Sequence, residues 1–304
     1  MSKPTLVAVL GPTASGKTAL SIEIAKFLRT EIISCDSRQF YRELAIGSAP
    51  PSAEELSEAP HHFIADRSAA NELSAGQFAR EATQVVSDVF SRCNDHAVLV
   101  GGSGLFADAL MYGFDEMPSI PESFREELND QYRNEGLESL LKELKEKDAA
   151  YYDLVDRKNP VRIIRALEII RHTGNPFSQY RKQSEGPKKS PYHLEKIAID
   201  WDREALYDRI NHRVDLMMEA GLLEEVKSLL PYRHLQSLNT VGYSELFAYL
   251  EGDIDLDFAV SEIKKNTRRF AKRQLTWLRK DSGIFWVKPD DQALETIKKH
   301  FSWD

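Results

Sequence analysis

Cysteine is scarce in this chain: Cys35 and Cys93 are the two among 304 residues, too few for a disulfide framework or a cysteine-rich zinc module. The expected setting is reduced and cytoplasmic. Nowhere do eighteen apolar residues run together, which excludes an ordinary membrane-spanning helix. The apolar stretch at 5–10 is cut by Gly11 and Pro12 before it could serve as a secretory signal, so export is not expected. No fixed-period repeat and no low-complexity tract is present, and the adjacent His61 and His62 lack the partner spacing of a metal site. An excess of basic charge is also missing, since the net charge is −8. What remains is a chain with 42% hydrophobic and 10% aromatic residues, enough for one large core or two smaller ones.

The charge is unevenly distributed. Residues 264–280 carry eight Lys or Arg and no acid; taking these from the 40 basic residues leaves 32 against 48 acidic ones elsewhere, a charge of −16. Phe270, Leu275 and Trp277 are interleaved in this segment, so it suits a phosphate backbone or an anionic pocket, although a solvated helix face would read the same way.

Residues 11–18 read GPTASGKT, which fits G-x-x-x-x-G-K-[ST] at every fixed position. The loop follows the apolar run at 5–10 and opens into a helical pattern at 17–29, the strand, loop and helix order that phosphate binding requires. Across Gly11, Pro12, Thr13, Ala14, Ser15 and Gly16, backbone amides can close around phosphate oxygens at a helix N-terminus. Lys17 would neutralise those oxygens and the Thr18 hydroxyl would ligate Mg2+.

Strand patterns at 5–10, 31–36, 97–101, 197–201 and 284–288, with helical patterns at 17–29, 74–92, 203–230 and 258–280, predict an α/β fold. The architecture expected is a parallel sheet flanked by helices, as in P-loop NTPases. Between the third and fourth strands, helical patterns at 122–147 and 159–172 are bounded by Pro118 and Pro121 and by a linker at 184–191. An all-helical domain at 118–191, inserted into a core of 1–117 and 192–304, is the expected organisation.

An NTPase usually carries a second magnesium-binding acid at a strand end, yet the strand at 97–101 runs into Gly101-Gly-Ser-Gly104 without one. The acid stands instead at Asp36, followed by Ser37, Arg38, Gln39 and Tyr41, at the carboxyl end of the 31–36 strand where open α/β sheets build their sites. A carboxylate beside a polyphosphate can order a metal or accept a proton from a nucleophile. The glycines at 101–104 let a ligand approach backbone closely, with Ser103 as a hydrogen-bonding group.

GPTASGKT, DSRQFY at 36–41, GGSGLF at 101–106, RIIRALEI at 162–169, VGYSEL at 241–246 and TRRFAKRQLTWLR at 267–279 together resemble the bacterial tRNA dimethylallyltransferases, over nearly the whole chain. The resemblance implies transfer of a dimethylallyl group from dimethylallyl diphosphate to the exocyclic amine of the adenosine 3′ of the tRNA anticodon, without consumption of ATP. It implies Asp36 as general base, Mg2+ at Thr18 and Asp36, and Thr13, Thr18 and an arginine at the diphosphate. Arg209 and Arg213 both fit the last role, with Arg213 preferred. For tRNA it implies Asp36, Ser37, Arg38, Gln39 and Ser103 around the flipped base, and Arg125, Val161, Arg162, Ile163, Ile164 and Arg165 on the inserted domain. Asn239, Thr240, Val241, Gly242, Tyr243 and Ser244 would face the same partner. The implied partners are the anticodon stem-loop and dimethylallyl diphosphate; no membrane partner is expected, and a monomer is the default expectation.

Two stretches depart from the family pattern. The usual Gly-Thr-x-Lys-Pro is replaced by Gly47-Ser-Ala-Pro-Pro51, without the lysine, and Asn-Asp before the arginine pair is replaced by Asn159-Pro160. The alternatives are a small-molecule or nucleoside kinase, which needs an arginine-bearing lid and a nucleoside triphosphate, and a nucleotide-switched RNA binder. Paired Asp-rich metal motifs of isoprenoid-chain synthesis are not evident; Asp253, Asp255 and Asp257 more simply start the helix at 258.

Overall fold

A computed structural model describes residues 3–93, 95–113, 117–181 and 189–303. Packing separates two compact units, Met1–Phe114 with Lys189–Asp304, and Asp115–Lys188. Residues 184–188 of the expected linker lie outside the described residues.

In the larger unit β1 (Thr5–Leu10), β2 (Ile32–Ser34), β3 (His61–His62), β4 (His96–Gly101), β5 (His193–Ile199) and β6 (Ile284–Val287) form one parallel sheet in the order β3-β2-β4-β1-β5-β6. The central β1 and β4 are buried on both faces, which is why their sequences are almost unbroken apolar runs. Alternation splits them between two cores: Leu6, Ala8 and Leu10 face one, Val7 and Val9 the other. On the second face α1 (Lys17–Leu28) packs through Leu20 and Ile24. The first is covered by α3 (Ala75–Arg92), through Phe78, Ala82, Val86 and Val89, and by α4 (Gly104–Tyr112); the short α2 (Ala53–Glu58) precedes β3.

The smaller unit comprises α5 (Glu122–Glu135), α6 (Leu137–Lys147), α7 (Ala149–Leu154) and α8 (Pro160–Thr173) around Leu128, Leu140, Leu144, Ile163 and Leu167. The chain then returns to the larger unit with α9 (Arg203–Glu219), α10 (Leu222–Leu229), α11 (Tyr243–Leu250), α12 (Leu256–Leu278) and α13 (Ala293–Phe301), the last against the α1 face.

Several boundaries differ from the sequence pattern for identifiable reasons. The predicted helix at 203–230 is two helices, broken at Gly221 with φ +96°, and that at 122–147 breaks at Gly136 with φ +78°. A left-handed backbone cannot continue a right-handed helix. The 31–36 strand stops at Ser34, because the Asp36 amide turns back toward Ser34 Oγ at 3.4 Å instead of joining the ladder, and β5 covers 193–199 rather than 197–201. Asp255 caps α12 by accepting from the Phe258 amide, and Asn159 caps α8 with Pro160 at its first position.

Candidate active site at three strand ends

Because β2, β4 and β1 are neighbours, the segments that leave their carboxyl ends converge: 35–39 after β2, 101–104 after β4 and 11–16 after β1. The Gly11 amide donates to the Gly101 carbonyl at 3.3 Å, tying the last two of these together. Glycine at 101 is required by closeness, since a Cβ there would stand 2.5 Å from Cys35 Sγ.

The loop at 11–18 is held from outside by three side chains. Arg209 Nε donates to the Ala14 carbonyl at 2.9 Å and Trp201 Nε1 to the Ser15 carbonyl at 2.8 Å, the guanidinium lying over the indole. Gln274, on α12, accepts from the Thr13 amide at 3.0 Å and donates to the Gly102 carbonyl at 2.9 Å, clamping two loops with one amide. A Cβ on Gly102 would lie 2.2 Å from Gln274 Nε2. Gly102→Ala should therefore displace Gln274 and destabilise the fold by roughly 1–3 kcal/mol, the usual cost of overpacking; a urea melt equal to wild type would show that the clamp is slack.

The loop's charges point to an anion. The first amides of α1 have no carbonyl one turn back, and the buried Ser15 hydroxyl has no hydrogen-bond partner. Burial pushes the Lys17 ammonium down from its ordinary pKa, the nearby Arg213 adds to this and Asp36 opposes it. The Arg213 guanidinium is likewise lowered by burial, against the pull of Asp36. Two desolvated cations flank one carboxylate, an arrangement that a polyphosphate would relieve.

Asp36 accepts from the Arg38 amide at 3.2 Å. Ser103 Oγ accepts from the Ser37 amide and donates to Ser37 Oγ at 3.1 Å, joining the two strand-end segments. Arg38 is buried enough that its pKa is lowered; it donates to the carbonyls of Ser237 and Asn239. Gln39 turns away from the cavity, its amide donating to the Ala49 carbonyl at 3.0 Å. Its donor is thus engaged by backbone, and Gln39 does not line the cavity described below. Arg213 reaches the same carbonyl at 3.0 Å.

These segments open into a cavity of about 490 Å³. Thr13, Asp36, Ser37, Arg38, Ser103, Arg213, Thr240, Val241 and Gly242 line it; Lys17, Thr18, Arg209, Asn239 and Ser244 do not, so the loop reaches its wall through Thr13. Tyr243 is fully buried, with its hydroxyl on Glu225, so its side chain supports the wall rather than facing a ligand. The rest of the lining is largely apolar, with Ile210, Val214 and Met217 from α9, Leu222 from α10 and Ile263, Phe270 and Trp277 from α12.

Trp277 stands in the segment that sequence reasoning offered for an anionic pocket, but Gln274 was not singled out. The available signal was the phase of α12: buried Ala271, Gln274 and Leu278 follow one stripe, and a polar residue on such a stripe must have a partner. Much of the basic charge of α12 is already partnered, with Lys264 on Asp215, Lys265 on Glu262 and Arg268 on Asn211, while Arg269, Lys272, Arg273, Arg279 and Lys280 are exposed.

In the smaller unit Arg125 and Arg165 both pair with the buried Glu168 while keeping much of their surface accessible. Arg162 and Val161 are exposed on the same helix. Ile163 and Ile164, on the stretch expected to contact tRNA, are 0% and 7% exposed and belong to the core that the same helix was expected to pack.

A phosphate loop, a strand-end carboxylate and an apolar chamber on a six-stranded parallel sheet define a P-loop-fold enzyme built for group transfer. The sequence profile of the family described as IPP transferase matches residues 39–281. The tRNA dimethylallyltransferase of Christiangramia forsetii is 48% identical over 290 residues, covering 95% of this chain and 94% of that protein. The tRNA dimethylallyltransferase 1 of Bacteroides thetaiotaomicron is 45% identical over 290 residues, with 95% and 93% covered. The crystal structure of the tRNA isopentenylpyrophosphate transferase of Bacillus halodurans superposes with a TM-score of 0.73 at 37% identity, covering 99% of this chain and 96% of that one. The chain belongs to the IPP transferase family.

Proposed function

We propose that this enzyme transfers the dimethylallyl group of dimethylallyl diphosphate to the exocyclic amine of the adenosine 3′ of the anticodon in tRNA. The observation that carries the reading is that a phosphate loop and a carboxylate meet in one chamber whose remaining walls are largely apolar. Cleavage of the allylic carbon–oxygen bond builds charge on diphosphate. Lys17, Arg213 and the first amides of α1 stabilise that charge as it develops. The adenine amine is a weak nucleophile, its lone pair delocalised into the ring, and Asp36 accepts its proton as the carbon–nitrogen bond forms. The apolar walls hold the five-carbon group and keep water from the allylic carbon.

Thr18 and Asp36 would offer Mg2+ a hydroxyl and a carboxylate oxygen. Among the described residues no group of three or more His, Cys, Asp or Glu is assembled for a metal, so the ion would take its other oxygens from diphosphate and water, as Mg2+ usually does. Magnesium, when bound, supplies positive charge to the departing diphosphate.

The target base must leave its stack to enter the chamber, at a few kcal/mol that contacts to the splayed nucleotides offset. Arg125, Arg162 and Arg165 serve the anticodon arm. Arg162→Ala should weaken tRNA binding and reduce the slope of log affinity against log salt by about one, leaving diphosphate affinity unchanged; a loss confined to diphosphate binding would contradict this role. Action on tRNA accords with a cytoplasmic setting, and the enzyme is taken to act as a monomer. No observation favours the kinase reading.

The test is incubation with magnesium, unmodified tRNA having adenosine after the anticodon, and either dimethylallyl diphosphate or ATP, followed by nucleoside mass analysis. A dimethylallyl increment that requires the diphosphate and ignores ATP is expected. ATP turnover without the increment would overturn the reading.

A further inference from the structure

The loop at 46–49 supports active-site side chains and is itself supported from behind. On the cavity side the Ala49 carbonyl accepts from Arg213 and from Gln39, each at 3.0 Å. On the other side Glu225, from α10, accepts from two successive backbone amides, Ile46 at 2.6 Å and Gly47 at 3.0 Å. The Tyr243 hydroxyl donates to the same carboxylate at 2.6 Å, so both of its oxygens are engaged. Burial and the neighbouring carboxylate push the Tyr243 phenol up, which keeps it a donor.

The contact behind the loop is steric as well as polar. A Cβ on Gly47 would lie 2.5 Å from the Tyr243 ring, so the backbone presses directly on the aromatic face. Within the loop the Ala49 amide donates to the Ile46 carbonyl at 2.9 Å and Ala49 takes φ +45°, a tight turn closed between the gripped amides and the Ala49 carbonyl. Among the described residues Arg213 makes no ion pair, which leaves that carbonyl as the hydrogen-bond acceptor fixing its guanidinium.

We propose that Glu225 is a positioning residue for Arg213: by clamping the amides of Ile46 and Gly47 it sets the Ala49 carbonyl that aims the guanidinium into the cavity. Glu225 itself does not line that cavity, and its effect passes through backbone alone. The proposal rests on the reading of Arg213 as a diphosphate ligand given above.

A carboxylate that accepts three donors cannot be matched by an amide, so Glu225→Gln loses part of the clamp while keeping the volume. The experiment is calorimetric titration with inorganic pyrophosphate and magnesium on wild type, Glu225→Gln, Arg213→Ala and the double variant, with kcat and KM for both substrates alongside. Glu225→Gln should weaken pyrophosphate binding roughly tenfold, the scale found for groups that orient a ligand-contacting residue. KM for tRNA should not move. In the Arg213→Ala background the same substitution should weaken binding no further, because the residue being aimed is gone. Unchanged affinity in Glu225→Gln, or an equal loss in both backgrounds, would overturn the proposal. Tyr243→Phe, which removes one donor from the clamp, should give a smaller loss that also vanishes with Arg213→Ala, and it carries the same test if Glu225→Gln fails to fold. A chain that shows this coupling yet transfers no dimethylallyl group would leave the positioning role standing and refute the proposed reaction.

Discussion

Asp36→Asn should fold, bind tRNA and dimethylallyl diphosphate, and turn over roughly 10²–10⁴-fold more slowly, the range associated with losing a general base. Folding is expected because the amide oxygen of Asn can still accept from the Arg38 backbone amide, the hydrogen bond that shapes this turn. Binding of the donor should be largely retained, the weaker Mg2+ ligand being offset by the removal of a negative charge. Asp36 attracts Lys17 and Arg213, and neutralising it removes a negative charge beside the expected seat of diphosphate. The loss should therefore fall on the chemical step alone, in contrast to substitutions at the loop. Single-turnover measurements with both substrates saturating separate the two cases. Near-normal turnover would remove Asp36 from the role of base, and a large rise in KM for the donor would make it a binding residue instead.

The loop at 11–18 was legible because its chemistry restricts residue types at fixed spacing, and the strands β1 and β4 because full burial demands continuous apolar sequence. The order β3-β2-β4-β1-β5-β6 was not, since local pattern says nothing of which strands become neighbours, yet that order is what brings Asp36, Ser103 and Thr13 to one chamber. The breaks at Gly136 and Gly221 could have been read from a glycine within each helical run. The two-residue β3 could not, because His61 and His62 are recruited by pairing with β2 and carry no strand pattern of their own. Gln274 and Glu225 illustrate the harder case. On a charged helix Glu225 reads as surface and Gln274 as a polar residue on the buried stripe, but neither pattern names its partner, 179 and 261 residues away in the chain. A hydrogen bond across the fold leaves no periodicity behind it.

Lys17→Met should lower turnover by roughly 10²–10³-fold, the scale of removing one charge-stabilising donor from a developing anion, and should at the same time stabilise the ligand-free fold. The second effect follows from the lysine's surroundings. Burial, with Arg213, pushes its pKa below the ordinary 10.5 despite the opposing Asp36. A lysine whose folded pKa is lowered destabilises the fold fully at pH values below that pKa. Stability returns as the pH rises from the lowered value toward 10.5, where the unfolded chain binds the proton and the folded chain does not. Methionine fills similar volume without charge, so the variant should melt higher than wild type at neutral pH and lose the alkaline rise in stability. Pyrophosphate should reverse the ranking. Its negative charge favours the ammonium, so wild type should take up protons on binding near the lowered pKa and lose affinity above it, whereas the variant should gain little stabilisation from the ligand at any pH. Melting curves with and without pyrophosphate between neutral and alkaline pH read all of these effects together. A variant that melts below wild type and still responds fully to pyrophosphate would show that Lys17 supports the loop's structure, and that the anion is held by the α1 amides and Arg213 without it.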